Sequence, residues 1–164
     1  MATLYRNFPG RRELLEALFV DEVDAVSEAA ATIEADTPGA AFEAWLHRFF
    51  QFVNSKRHVA SELLKDTHDS TFFSQNRDRV LAAAQPLLTA AKHSHEVRDD
   101  LTLEQILDMV IGIAKIHGDR AHVEPILQTA LNGLRPTSAA EGATNRPRPA
   151  TDRTPPGARA DGKG

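Results

Sequence analysis

The sequence TLYRNFP, residues 3–9, is followed by a glycine and two arginines. Leu4 and Phe8 are four positions apart, so they share one face of a helical turn and would pack inward. The proline and the glycine interrupt that helix, and a long run of apolar residues at helical spacing begins at Leu14. This stretch therefore predicts a short polar helix, a turn and the start of a much longer helix.

Polar and basic side chains are concentrated around the same short helix. Side chains of these types contact the phosphates and base edges of DNA, and phosphate contacts dominate the affinity. On spacing alone, a frayed tail that holds one tyrosine and a few arginines explains the pattern as well. The residues concerned are Thr3, Tyr5, Arg6, Asn7, Arg11 and Arg12.

This stretch resembles the end of the DNA-reading head in the TetR family of bacterial transcriptional regulators. The order of its residues, its turn and the helix that follows all agree with that family. There a TLYxHF-type recognition helix is followed by an FPxK/R-type turn, which leads into the helix that joins the head to the ligand-binding body. The resemblance implies that Thr3 would face a base edge or a phosphate. It also implies that Tyr5, Asn7 and Arg11 would hold phosphates, with Asn7 standing where the family more often has histidine.

In that family two further helices precede the recognition helix and hold it in the groove, whereas here the pattern begins at residue 3. We therefore expect a remnant of the head at residues 1–11 and a ligand-binding and dimerisation body at residues 12–135. Either the gene product starts upstream of Met1, which the intact pattern favours, or the chain lacks a complete head. Genomic sequence upstream of Met1 that encodes two amphipathic helices would support the first reading.

The function implied by the resemblance is transcriptional regulation. The chain would be a DNA-binding repressor that leaves its operator when a small apolar effector enters the body. The alternative is a headless helical module, which binds a ligand or forms heterodimers with intact regulators but does not bind DNA itself.

Composition narrows the remaining classes of function. The chain has 164 residues and 41% hydrophobic residues, enough for one core. It has no cysteine, and its seven histidines include no pair three or four positions apart, so no metal site or cofactor is expected. No glycine-rich phosphate loop or G-x-S-x-G sequence occurs, and an enzyme is not expected. Without a leader pattern or a long apolar run, we expect a cytoplasmic protein with no membrane contact.

Apolar residues at helical spacing extend from Arg11 to Leu134, without convincing alternation of period two. The pattern predicts an all-α bundle of about six helices, at residues 12–34, 38–54, 56–65, 70–93, 103–117 and 121–134. Residues 136–164 are rich in proline, glycine and arginine and contain no large apolar residue. We expect this tail to be disordered, because it cannot offset the entropy of ordering.

Charge is distributed unevenly between body and tail. From Arg135 onward the chain has six Lys/Arg and three Asp/Glu, and the residues before it have 13 and 20. The body therefore carries −7 and the end of the chain +3. An acidic body is a poor general binder of nucleic acid, so any affinity for DNA would come from the two ends.

The predicted fifth helix is apolar nearly all round, which requires burial on two sides. A subunit interface and a central position in a monomeric bundle explain this equally well from the residues alone. The resemblance implies a homodimer, because TetR-like proteins dimerise through their last two long helices. The interface residues would be Leu103, Leu107, Val110, Ile111, Ile126, Leu127 and Leu131.

Aromatic residues cluster in the second helix and at the start of the fourth predicted helix. Ligand pockets are mostly apolar and aromatic with a few polar groups, although such a stripe is also what core packing produces. The resemblance places the effector cavity among the first four helices. The predicted ligand-binding residues are Trp45, Phe49, Phe52, Phe72 and Asn76.

Overall fold

The computed structural model describes residues 10–66 and 70–136, and within them the chain is all-helical, as predicted. None of the helices in this part is long and apolar enough to cross a membrane. The predicted tail lies almost wholly outside the described residues. Five helices are present in the described part: α1 (Arg11–Thr32), α2 (Pro38–Asp66), α3 (Ser70–His93), α4 (Leu103–Ala114) and α5 (Arg120–Asn132).

α1 forms because apolar residues recur every three or four positions along one side. An ion pair of 2.7 Å between Arg12 and Glu16, four positions apart, supports its first turns. The helix ends at Thr32. Thr37 then caps α2, since its Oγ1 accepts a hydrogen bond of 3.2 Å from the Ala40 amide. The buried side chains of α1 are Phe19, Val23, Val26, Ala29 and Ala30.

α2 is one helix of 29 residues where the sequence pattern predicted two. The predicted break lay around Ser55, in a stretch that contains neither proline nor glycine. Ser55 donates its hydroxyl to the Phe52 carbonyl at 3.0 Å, a bond that a continuing helix accommodates. Lys56 forms an ion pair of 3.1 Å with Glu22, so α2 continues along α1 beyond the predicted end. The described part therefore has five helices instead of about six.

Side chains cap the last two helices. α4 begins with a capping box: the Gln105 amide donates to Thr102 Oγ1 at 3.3 Å, and the Thr102 amide donates to the Gln105 side chain at 2.9 Å. Asp119 caps α5 by accepting from the His122 amide at 2.9 Å. α5 consequently begins just ahead of the predicted range. Pro125 then lies beyond the first turn, where it removes one helical hydrogen bond.

α4 occupies the middle of the bundle, since it contacts α2, α3 and α5 of the same protomer. This position accounts for apolar residues nearly all round the helix. Of the two interpretations that the residues left open for this helix, a central position within one protomer therefore accounts for its burial. Among the described residues, Leu18 of α1 is the large hydrophobic side chain that stays exposed. The buried residues of α4 are Leu103, Ile106, Leu107, Val110, Ile113 and Ala114.

Glu96, in the loop between α3 and α4, ties that loop to the start of α2. Its carboxylate accepts hydrogen bonds from the Thr37 hydroxyl and from the Ser94 hydroxyl, the latter at 2.7 Å. These bonds hold the pKa of Glu96 below its ordinary value of 4.5. The approach to Gly39 is close, because a Cβ at that residue would lie 2.6 Å from the Glu96 Cβ. The negative charge also faces the positive end of α2.

The same loop is also fixed to the residues that follow α5. The Arg98 amide donates to the Leu134 carbonyl at 2.8 Å. Lys92 donates to the Leu101 carbonyl at 2.6 Å, which holds the far end of the loop against α3. Through Glu96, Arg98 and Lys92 the loop therefore connects α2, α3 and α5.

We predict that Glu96→Gln lowers the thermal midpoint by a few degrees at pH 7. Because the folded pKa of Glu96 is lowered, its contribution is present above pH 4.5 and is lost as the pH falls through the folded pKa. The difference in midpoint between the natural protein and the variant should thus shrink on acidification below pH 4.5. Thermal unfolding followed by circular dichroism, at pH 7 and below pH 4.5, measures this difference in midpoint.

Glu28→Gln is the matched control, because it removes an exposed carboxylate of α1. If both variants lower the thermal midpoint equally, or if the effect of Glu96→Gln does not depend on pH, the stabilising role of the Glu96 carboxylate is contradicted.

Candidate functional site

A cavity of about 430 Å³ opens where α1, α2, α3 and α4 meet. This volume lies in the range of pockets that hold small organic ligands. Its walls are mostly apolar and aromatic. The apolar lining comprises Phe19 and Val23 of α1, Phe49, Phe52 and Val53 of α2, Phe73 and Val80 of α3, and Leu107, Ile111 and Ala114 of α4.

Phe19 is the centre of the aromatic wall. Its ring centroid lies 5.9 Å from that of Phe52, 5.7 Å from that of Phe72 and 5.6 Å from that of Phe73. These are the tilted and edge-on arrangements that aromatic pairs prefer. Side chains of two helices, α2 and α3, therefore meet on one ring of α1, and a shift of α1 would disturb the whole wall.

Trp45 supports the cavity from behind. Its side chain is fully buried, and its ring stacks on that of Phe49 with centroids 5.5 Å apart. The indole N–H donates to the Val26 carbonyl at 2.9 Å, which joins α2 to α1. Phe49, which lines the cavity, is thus held in place by a neighbour that does not reach the cavity itself.

Asn76 is the buried polar residue of the cavity. Its Nδ2 donates to the Phe72 carbonyl at 2.8 Å, and this fixes the orientation of the amide, because only the NH₂ end can donate. Within residues 10–66 and 70–136 no hydrogen bond to its Oδ1 is found. That oxygen can accept a hydrogen bond from a ligand.

Cationic side chains and the exposed Ser61 complete the lining. Lys56 is paired with Glu22 at 3.1 Å, and Arg77 with Asp108 at 3.0 Å. Within the described part of the chain, the charged ends of the other two cations have no such partner. Among the side chains that the structure describes, no carboxylate lines the cavity. The four cationic residues are Lys56, Arg57, Arg77 and Lys115.

Three of the five predicted ligand-binding residues line this cavity: Phe49, Phe52 and Asn76. Trp45 and Phe72 lie outside the lining and support it. The sequence interpretation did not include the contributions of α1 and α4, nor the cations. Helical spacing carried a signal for the cations, because Lys56 and Arg57 continue the stripe of Phe49 and Val53 along α2.

The predicted interface residues divide into two groups. Five of the seven side chains are buried inside the protomer, where a partner subunit could not reach them: Leu103, Leu107, Val110, Leu127 and Leu131. The other two, Ile111 and Ile126, are half-buried. Gly112, next to Ile111, is exposed, and a Cβ at this residue would meet nothing within 4 Å.

Of the predicted DNA contacts, Arg11 is exposed in the first turn of α1. Thr3, Tyr5 and Asn7 lie outside the described residues. Within residues 10–66 and 70–136, no group of three or more acidic or histidine side chains is placed to hold a metal ion.

Comparison with known proteins identifies the family to which this chain belongs. Residues 37–136 match the family model described as "Transcriptional regulator SbtR-like, C-terminal domain". The chain is also similar to the TetR transcriptional regulator SCO0520 from Streptomyces coelicolor, known from a crystal structure. The two share 30% sequence identity with a TM-score of 0.71, over 84% of this chain and 81% of that one. No curated protein sequence matches the chain significantly.

We predict that Trp45→Phe lowers the free energy of unfolding by about 2 kcal/mol, because it removes the buried hydrogen bond to Val26 and leaves a void. Phe52→Leu is the comparison on the same helix, and it should cost less because the Phe52 ring faces the cavity. Urea unfolding followed by circular dichroism measures both. Equal losses would mean that the tryptophan has no special role.

Proposed function

Because this chain belongs to the TetR family of transcriptional regulators, we propose that it is a repressor whose cavity binds a small effector, and that binding releases the operator. The observation that supports this most directly is the double role of α1. Phe19 and Val23 of this helix line the cavity, and its first residue, Arg11, directly follows the turn after the TLYRNFP segment. A ligand against α1 therefore touches the element that leads to the proposed DNA contacts Thr3, Tyr5, Asn7 and Arg11.

The mechanism requires two positions of α1 that the effector distinguishes, since a ligand shifts an equilibrium only by its difference in affinity for the two states. Two polar contacts at the surface add to the core packing and to the Trp45–Val26 hydrogen bond, which hold the observed position. Asp24 of α1 is paired with Arg79 of α3, and Glu22 of α1 with Lys56 of α2. All four side chains are partly exposed, and such pairs contribute little individually. A bound ligand could overcome them at small cost.

The repressor would work as a homodimer in the cytoplasm, with α4 and α5 forming the subunit interface. Since five predicted contacts are buried within the protomer, the interface would use the outer side of these helices. Ile126 and Gly112 are accessible there. Glycine inside a helix costs about 1 kcal/mol relative to alanine, and here it would allow two helices to approach closely.

We predict that the chain sediments at roughly twice 18.0 kDa at micromolar concentration, and that Gly112→Arg sediments as a monomer. The substitution should not harm the protomer, because nothing lies within 4 Å of the new Cβ. Ala90→Arg, at an exposed position of α3, is the control and should remain a dimer. A monomeric natural chain, or a dimer of Gly112→Arg, would refute this interface.

The repressor proposal is tested in the organism that carries this gene, by measuring transcripts of the neighbouring genes. Deleting the gene should raise them. Val53→Phe, which fills the cavity with a larger side chain, should keep them low and prevent induction by any effector. Transcripts that fall on deletion would indicate an activator. Unchanged transcripts, with ligand binding retained in vitro, would favour the ligand-binding module without DNA binding.

A further inference from the structure

The lining of the cavity changes from apolar to cationic along two helices. On α2 it runs from Phe49 through Val53 to Lys56 and Arg57. On α4 it runs from Leu107 through Ile111 and Ala114 to Lys115, which follows the last residue of the helix. Each series advances by three or four positions, or ends on the adjacent residue, so each lies along one side of its helix.

The concentration of positive charge stands out against the rest of the body. Residues 1–134 carry −7 and contain 13 Lys/Arg, yet four of these line one cavity, and no Asp or Glu whose side chain the structure describes lines it. A cavity built only for neutral apolar molecules would gain nothing from four cations, because a charged group beside an apolar ligand loses hydration without compensation.

Two of the four cations are available to a ligand. Glu22 and Asp108 partly neutralise Lys56 and Arg77. Within residues 10–66 and 70–136, Arg57 and Lys115 have no ion pair, and both side chains are exposed. They therefore stand where the cavity opens to solvent, whereas Phe49 and Leu107 lie at its buried end.

We propose that the ligand of this cavity is an amphiphilic organic anion, with an apolar or aromatic body inside and a carboxylate held at the mouth by Arg57 and Lys115. This inference rests on the proposed function, whose effector it changes from a neutral apolar molecule to an acid. The arrangement keeps the charged group near water, which avoids the cost of burying an ion. The two cations would form charge-assisted hydrogen bonds with it.

The test uses two fluorescent probes that share one ring system and differ in charge. They are 1-anilinonaphthalene-8-sulfonate, an anion, and N-phenyl-1-naphthylamine, its neutral counterpart. We expect the anion to bind about tenfold more tightly, with an advantage that decreases as salt is added. Arg57→Gln and Lys115→Gln should each weaken binding of the anionic probe about threefold or more and leave the affinity for the neutral probe unchanged.

Two variants serve as controls. Arg48→Gln removes an exposed cation of α2 outside the cavity lining, so it should affect neither probe. Val53→Phe narrows the cavity and should weaken both probes. Circular dichroism confirms that each variant is folded.

The outcomes separate this inference from the proposed function. Equal affinities that the glutamine variants do not change would overturn the anionic ligand and leave the cavity as the effector site. An effect of Arg48→Gln as large as that of Arg57→Gln would mean that the anion binds the general surface, and this also overturns the inference. Binding that Val53→Phe leaves intact would place both probes outside the cavity and contradict the effector site itself.

Discussion

The hydrogen bond from the Trp45 indole to the Val26 carbonyl is the interaction on which the site depends. A carbonyl inside a helix already accepts one hydrogen bond, so the indole can use only its remaining lone pair. This requires α2 to cross α1 with Trp45 placed over one particular turn. Stacking of Trp45 on Phe42 and Phe49 then orients the aromatic side of α2, and the cavity lies on the far side of Phe49.

The cavity arises because four helix surfaces fit together incompletely, and this explains which part of it the sequence predicted. Helical spacing identified the apolar sides of the helices, and the all-α class followed from them. Spacing could not tell Trp45, which fills space, from Phe52, which borders it, since both lie on the same stripe. That distinction depends on what the opposing helix presents, and Phe19 of α1 is the decisive neighbour.

The same limit explains α4. Its apolar circumference correctly indicated burial on more than one side, but the covering surfaces are α2, α3 and α5. A single sequence does not distinguish a helix of the same chain from a helix of another subunit. The long α2 was missed for a local reason: the polar stretch around Ser55 looked like a boundary, whereas Lys56 reaches Glu22 of α1 and keeps the helix in place.

The unbroken length of α2 connects two distant parts of the structure. Its 29 residues span about 43 Å at 1.5 Å per residue, and Trp45 fixes it to α1 near one end. From Trp45 the shorter part of α2 runs to its start, next to Thr37 and Glu96. The longer part, roughly three times as long, carries Arg57. Because α2 is one continuous helix, a displacement of its longer part would be transmitted along it to the shorter part. The loop that Glu96 holds would thus respond to events at the mouth of the cavity without touching the ligand.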